Sequence, residues 1–186
     1  MTTATAPISA TTPWALDASH TEIEFSARHL MISNVKGRFS NPVGSLTYDA
    51  KNPKAFDLQV EIPIATIDTR NEQRDTHLRS ADFFDAEKFP TMAFKGSRVI
   101  GDITGEFKLV GDLTIRGVTK EVTLDVTAEG AGGDPWGNDR LGFSAAGKID
   151  RKEFGLVWNQ LLETGGVAVG DTIKIIINTE LMRPKA

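Results

Sequence analysis

The sequence predicts an all-β fold: an eight-stranded antiparallel barrel with one short helix in the insertion after the third strand. Two observations and one constraint lead there. Apolar and polar residues alternate at period two through most of the chain, as in Phe56, Leu58, Val60, Ile62 and Ile64 against Asp57, Gln59 and Glu61. That is the pattern of a strand with one buried face. The stretches are mostly joined by short turns, which suit antiparallel neighbours. The constraint is that open sheet edges invite aggregation, so such a meander must close or sandwich. Eight is the number at which a closed barrel is filled by side chains or by one small ligand.

The chain starts with a stretch rich in Thr, Ala and Pro up to Pro13. Residues 1–13 are expected to be a disordered tail, and 14–186 a single domain. The tail has neither the basic start nor the apolar core of a secretion signal, so a cytoplasmic protein is expected. The first strand places Ile23, Phe25, Ala27 and His29 on one face, and the second Val35, Gly37 and Phe39, continuing through Asn41-Pro42 to about Tyr48. Asn52-Pro53 reads as a turn before the third strand at Phe56–Ile64.

The stretch from 66 to 92 breaks the alternation. It holds Arg70, Arg74, Arg79, His77 and the phenylalanines Phe83, Phe84 and Phe89. Thr69 followed by Glu72 has capping-box spacing, so a short helix is predicted from there to about Ser80. Leu78 is its only apolar residue, so burial of an apolar stripe cannot hold it. Ion pairing, docking of Phe83 and Phe84, or a ligand must do so.

Strands follow at about 91–99 (Met92, Phe94, Gly96), 107–115 (Phe107, Leu109, Gly111, Leu113, Ile115) and 122–128 (Val122, Leu124, Val126, Ala128). Residues 130–138 read as a glycine-rich loop. The seventh strand carries Leu141, Phe143, Ala145, Gly147 and Ile149. After it Asp150-Arg151 and Phe154-Gly155 are expected to end the strand and anchor its turn, with a short helix near Trp158–Leu162. The eighth strand holds Ile173, Ile175, Ile177 and Leu181.

Ala27, Gly37, Gly96, Gly111, Ala145 and Gly147 lie in phase with the large apolar residues. Either they leave a hollow interior with smooth walls, or they mark bulges and barrel corners. The pattern leaves both open. A hollow interior would hold an apolar ligand by area, since His29 is the only titratable residue in the inward phases.

The net charge of −4 argues against nucleic acid as a partner, and no apolar run reaches membrane-spanning length. With no cysteine, disulfides, thiolate metal sites and cysteine nucleophiles are excluded. His20, His29 and His77 have no metal-motif spacing, and no Gly-x-Ser-x-Gly elbow or phosphate-binding loop is present. No metal and no cofactor are expected.

Five segments carry a family resemblance: WALDASHTEIEFSARHL, VKGRF, IDTRNEQRDTHLRSADFFDAEKFPTMAF, GDLTIRGVTKEVTL and IDRKEFGLVWNQLLETGGVAVGD. In this order and spacing, from Trp14 to Leu181, the chain resembles the YceI-like family, the lipocalin-like polyisoprenoid-binding proteins of bacteria. The resemblance implies an elongated lipocalin-like barrel with a long apolar pore. It also implies an isoprenoid in that pore, such as a polyprenyl quinone tail or a polyprenyl phosphate, for carriage, storage or sequestration. Many relatives carry a secretion signal and act in the periplasm, and this sequence departs from them there. Thr21 stands where many have Ser.

The expected wall residues are Ile23, Phe25, Phe39, Val60, Ile62, Phe83, Phe84, Phe94, Leu113, Phe143 and Trp158, with Arg74 and His77 as head-group contacts. Against the latter stands an Arg74–Asp75 network that merely clamps the helix to the rim. Two other functions compete with ligand binding. One is a ligand-free barrel serving as a stress-related interaction module. The other is an enzyme on an apolar substrate with His77 and Asp75 as acid and base, disfavoured because residues two apart do not share a helix face. The reading is therefore of a binding protein, not an enzyme, with a homodimer left open.

Overall fold

The computed structural model describes residues 13–48, 56–163 and 165–184. Its nine strands are β1 (Trp14–His29), β2 (Ser33–Phe39), β3 (Val43–Thr47), β4 (Asp57–Pro63), β5 (Thr91–Gly101), β6 (Glu106–Ile115), β7 (Val118–Gly133), β8 (Asn138–Asp150) and β9 (Val169–Pro184). They fill eight barrel positions. β2 and β3 are successive pieces of one wall position, the first pairing with Ile23–His29 and the second with Trp14 and Ala15. The break falls at Asn41, left-handed at φ 55°, and at the fully buried Pro42. From β3 each strand pairs antiparallel with the next, and β9 closes the barrel on β1. The free edge of β2 is met by the insertion, where Arg38 and Asp68 exchange backbone hydrogen bonds of 3.0 Å.

The expected inward phases hold along the strands, but several boundaries move. β7 and β8 run through most of the expected glycine-rich loop, leaving four residues, Asp134–Gly137, as the turn. Gly130 and Gly132 hide a strand because glycine has little strand propensity. Pairing to β8 supplies the order that the side chains do not. The turn is then fixed by Asp134, whose carboxylate accepts from the backbone of Trp136 and Asn138.

The helix expected at Trp158–Leu162 does not form. That segment is extended, with Leu161 bridged to Val167. A 3₁₀ turn stands earlier instead, at Arg151–Phe154, capped by Asp150 and ended by Gly155 at φ 78°. The cause is Arg151. Its buried guanidinium donates to the carbonyls of Leu156, Trp158, Val169 and Gly170. Those carbonyls are thereby committed away from a helix.

The predicted helix is α1 (Glu72–Arg79), but its cap is Asn71, whose side chain accepts from the Arg74 N–H at 2.9 Å. Thr69 lies further out and bonds elsewhere. The tail, the turn at Asn52-Pro53 and the C-terminal Lys185-Ala186 lie outside the described residues. Among the described residues no helix is long and apolar enough to cross a membrane.

Hollow walls and corners both give way to a third reason for most of the small residues. A methyl on Gly111 would sit 2.5 Å from the Phe94 ring, one on Gly96 2.9 Å from Phe56, and one on Gly147 2.6 Å from Leu124. Gly37 is covered likewise by Phe25 and by Thr69 from the insertion. These glycines let large side chains of neighbouring strands lie flat on the wall. Ala27 and Ala145, by contrast, face the open interior.

Candidate functional site

The inward faces enclose a cavity of about 270 Å³ whose surface is apolar. A second chamber of about 570 Å³, a vestibule at the end of the barrel that carries α1, adjoins it. Phe25, Ala27, Leu78, Phe83 and Val169 line both. Two aromatic groups flank the junction. Inside, Phe39 packs against Phe25 (ring centroids 5.5 Å apart) and edge-on against Phe84 (5.9 Å). Outside, the His77 ring stands edge-on to Phe83 (5.1 Å) and Trp158 (4.8 Å).

Of the eleven expected wall residues, ten line the inner cavity: Ile23, Phe25, Phe39, Val60, Ile62, Phe83, Phe84, Phe94, Leu113 and Phe143. Trp158 lines the vestibule instead, because its segment is extended across the mouth. Arg74 and His77 also face the vestibule, one turn apart on α1. Phe107, Leu109, Ile175 and Ile177 are among the other wall residues, and their alternation has the same inward phase. Leu78, the single apolar residue of α1, reaches into the cavity and docks the helix there.

The polar groups of the insertion are largely spoken for. Asp75 is buried and accepts from both the N–H and the hydroxyl of Thr69. Arg74 donates from Nε to the Thr69 hydroxyl and from Nη2 to the Thr69 carbonyl, both at 2.7 Å. The clamp on α1 therefore runs through Thr69, and not through an Arg74–Asp75 pair. His77 Nε2 is 2.8 Å from the Asp82 carboxylate. Asp75 and His77 thus face different partners and do not converge on one substrate position. Arg116 ties the rim together, donating to the carbonyls of Phe83 (3.0 Å) and Gly155 (3.3 Å). His29, expected inside, lies at the vestibule, and the titratable residues that border the inner cavity are Glu24, on an exposed position of β1, and Arg151. The donors of Arg151 are turned mainly to backbone carbonyls, so it leaves the cavity apolar.

A second polar cluster lies on the wall near the opposite end. Asp17, His20 and Glu180 approach one another closely enough to hold an ion. The cation there is Arg140, whose Nη1 is 2.8 Å from both Asp17 and Glu180 and whose Nε is 2.9 Å from Asp134. Hydrogen bonds from Ser19 and then Arg140 hold the Asp17 carboxyl well below the usual carboxylate range. Asn138 first, and Arg140 after it, do the same for Asp134.

Comparison with known proteins meets this geometry. The YceI-like domain matches residues 14–181. The YceI protein of Escherichia coli O157:H7 is 42% identical over 140 residues, covering 75% of this chain and 73% of the relative. The crystal structure of a Campylobacter jejuni YceI protein superposes with a TM-score of 0.70 at 35% identity, covering 84% of this chain and 90% of that one. A polyisoprenoid-binding domain from Saccharophagus degradans shares the fold at 13% identity, with a TM-score of 0.64 over 92% of this chain and 98% of that one. With the closed apolar barrel, the insertion helix and a match from the first strand to the last, the chain belongs to the YceI-like family.

Proposed function

We propose that this chain binds an apolar ligand in its barrel, of the long-chain isoprenoid class, and carries or sequesters it. The observation that supports this reading is the apolar cavity, adjoined across an aromatic boundary by a vestibule with polar groups. Its interior offers area and almost no hydrogen bonds, so affinity must come from buried carbon. Each buried methylene is worth about 0.8 kcal/mol. Association costs roughly 4–15 kcal/mol in lost freedom. On the order of ten or more buried carbons are needed to offset that, which favours a long chain over a small apolar molecule. The binding-domain neighbour from Saccharophagus degradans, described as polyisoprenoid-binding, is consistent with this class. A polyprenyl quinone or polyprenyl phosphate would leave its polar head in the vestibule, beside Arg74 and His77. The separate engagements of Asp75 and His77 favour carriage over catalysis.

The test is native mass spectrometry of the protein isolated from its own host, followed by organic extraction. A bound species of defined mass, with an isoprenoid in the extract, is the expected result. Ala145 faces the cavity between Val126 and Ile177, so Ala145→Phe is expected to fill it and reduce the bound fraction in a folded protein. A protein that is always empty, and that retains no isoprenoid added back, would overturn the proposal.

A further inference from the structure

Two hairpin turns at the vestibule end each carry two consecutive left-handed residues, one in the two-residue loop between Ile115 and Val118, the other in the three-residue loop between His29 and Ser33. Between β6 and β7 the left-handed positions hold Arg116 (φ 52°) and Gly117 (φ 74°). Between β1 and β2 they hold Leu30 (φ 49°) and Met31 (φ 61°), with the Ile32 N–H donating to the His29 carbonyl at 3.1 Å. Consecutive left-handed residues in a turn favour Asn-Gly, and large side chains are strained there. Burial compensates for the strain only in part, since Leu30 is half-buried and Met31 is 52% exposed, with Ile32 beside them 77% exposed.

The neighbouring tip shows the same disregard for local stability. Residues 160–163 and 165–168 pair as a small hairpin, with Ala168 N–H on the Gln160 carbonyl (2.9 Å) and Leu162 N–H on that of Gly166 (3.2 Å). Leu161 on it is 82% exposed, and Val157 just before it 62%. The two tips are joined, because the Leu30 N–H donates to the Ala168 carbonyl at 2.9 Å. Large apolar side chains therefore project together beside the vestibule, whose lining includes Leu30, Leu162 and Ala168 from the same two tips.

Charge points to the partner. The titratable side chains lining the vestibule are Arg28, His29, Arg74 and His77, with no carboxylate among them. Arg28 lies under the strained turn and donates to the Met31 carbonyl. The acids around it are mostly engaged within the rim: Asp75 with Thr69, Asp82 with His77, Glu72 with Arg79 and Asp171 with Arg151 and Lys152, while Glu163 stands on the hairpin. Projecting apolar tips over a basic chamber match a phospholipid surface, which offers hydrocarbon to the first and phosphate to the second.

We propose that this end of the barrel docks on a phospholipid bilayer, with Met31, Ile32 and Leu161 inserted at headgroup depth and the vestibule opening onto the lipid. Docking rests on the binding reading above for its purpose, since an apolar chain would then pass between bilayer and barrel without crossing water. The test is co-sedimentation with sucrose-loaded vesicles of phosphatidylcholine, alone and with phosphatidylglycerol. The protein is expected to sediment with both, and more with the anionic mixture. Ile32→Asp combined with Leu161→Asp should weaken partitioning by about tenfold or more. Leu30→Asn combined with Met31→Gly should also weaken it while raising the thermal midpoint, because Asn-Gly suits the turn. That pair keeps the test decisive if the aspartates impair folding. Trp136→Ser, at the exposed turn of the opposite end, should leave partitioning unchanged. Protein that stays in the supernatant with both vesicles, as a rim meant for a protein partner would, overturns the proposal. So does a folded rim variant that binds like the parent, or loss of binding in Trp136→Ser. Retention of an isoprenoid alcohol supplied from detergent is measured separately. Its failure in every form of the protein would sink the ligand reading while the vesicle result still judges docking.

Discussion

Thr69 is the residue on which the insertion closes. Its N–H and hydroxyl both bond the buried Asp75 carboxylate, and its hydroxyl and carbonyl take the Arg74 guanidinium. Its methyl faces Gly37 of β2, where a side chain would collide with it. One residue thus joins α1 to the barrel by charge-assisted hydrogen bonds and by contact. Thr69→Val keeps the shape and removes the hydroxyl, leaving a buried carboxylate short of a donor. A loss of about 1.5–3 kcal/mol is expected, read as a lower midpoint in urea unfolding with an unchanged slope. An unchanged midpoint would mean that the helix is held by Leu78 and the aromatic packing alone. The sequence pointed to Thr69 for a different reason, as a helix cap. Asn71 has that role because its side chain reaches the Arg74 N–H, and cap spacing alone does not separate two candidates two residues apart.

Strand phase was legible because it is local. Alternation reports which side chains share a face, and ten of the eleven expected wall residues do line the cavity. Trp158 differs because its segment was read as helical, and the Arg151 guanidinium, bonded to carbonyls from Leu156 to Gly170, makes it extended. That is a contact between positions whose spacing carries no pattern. The glycines are legible as positions and illegible as reasons. Gly111 is required because β5 lays Phe94 across it, and a methyl there would also sit 2.6 Å from the Lys95 carbonyl oxygen. A ring can swing aside, but a ladder carbonyl cannot. Gly111→Ala is therefore expected to cost about 1–3 kcal/mol, measured by thermal or urea unfolding. Adding Phe94→Leu should recover little of it. Full recovery would place the whole conflict in the ring.

At the scale of the molecule, the barrel is closed by β1 on β9, and the Arg140 cluster sits on that seam. Asp17 lies on β1 and Glu180 on β9, with Asp134 and Arg140 contributed from the β7–β8 hairpin. The folded state holds Asp17 and Asp134 below the ordinary carboxylate value. For a depressed carboxylate the stabilising contribution is complete above the unfolded value of about 3.9 and fades as pH falls toward the folded one. The barrel is expected to keep its thermal midpoint from neutral pH down to about 4 as far as this cluster is concerned, and to lose stability below that. Arg140→Met should lower the midpoint at neutral pH and flatten the loss below pH 4. A variant that loses stability in acid as steeply as the parent would show that other carboxylates govern it.

The β-rich class, the inward set of each strand and the family were determined by the sequence itself, since each is written in neighbouring residues or in motifs kept in order. The tertiary structure decided that β2 and β3 share one position, that large side chains of neighbouring strands cover the glycines, and that a vestibule beside apolar tips adjoins the inner cavity. It alone also showed that the tips carrying Leu30 and Ala168 are hydrogen-bonded side by side. The physical reason is one of range. Alternation follows from the geometry of a single strand, whereas closure, cavity and rim depend on distances between residues more than a hundred positions apart.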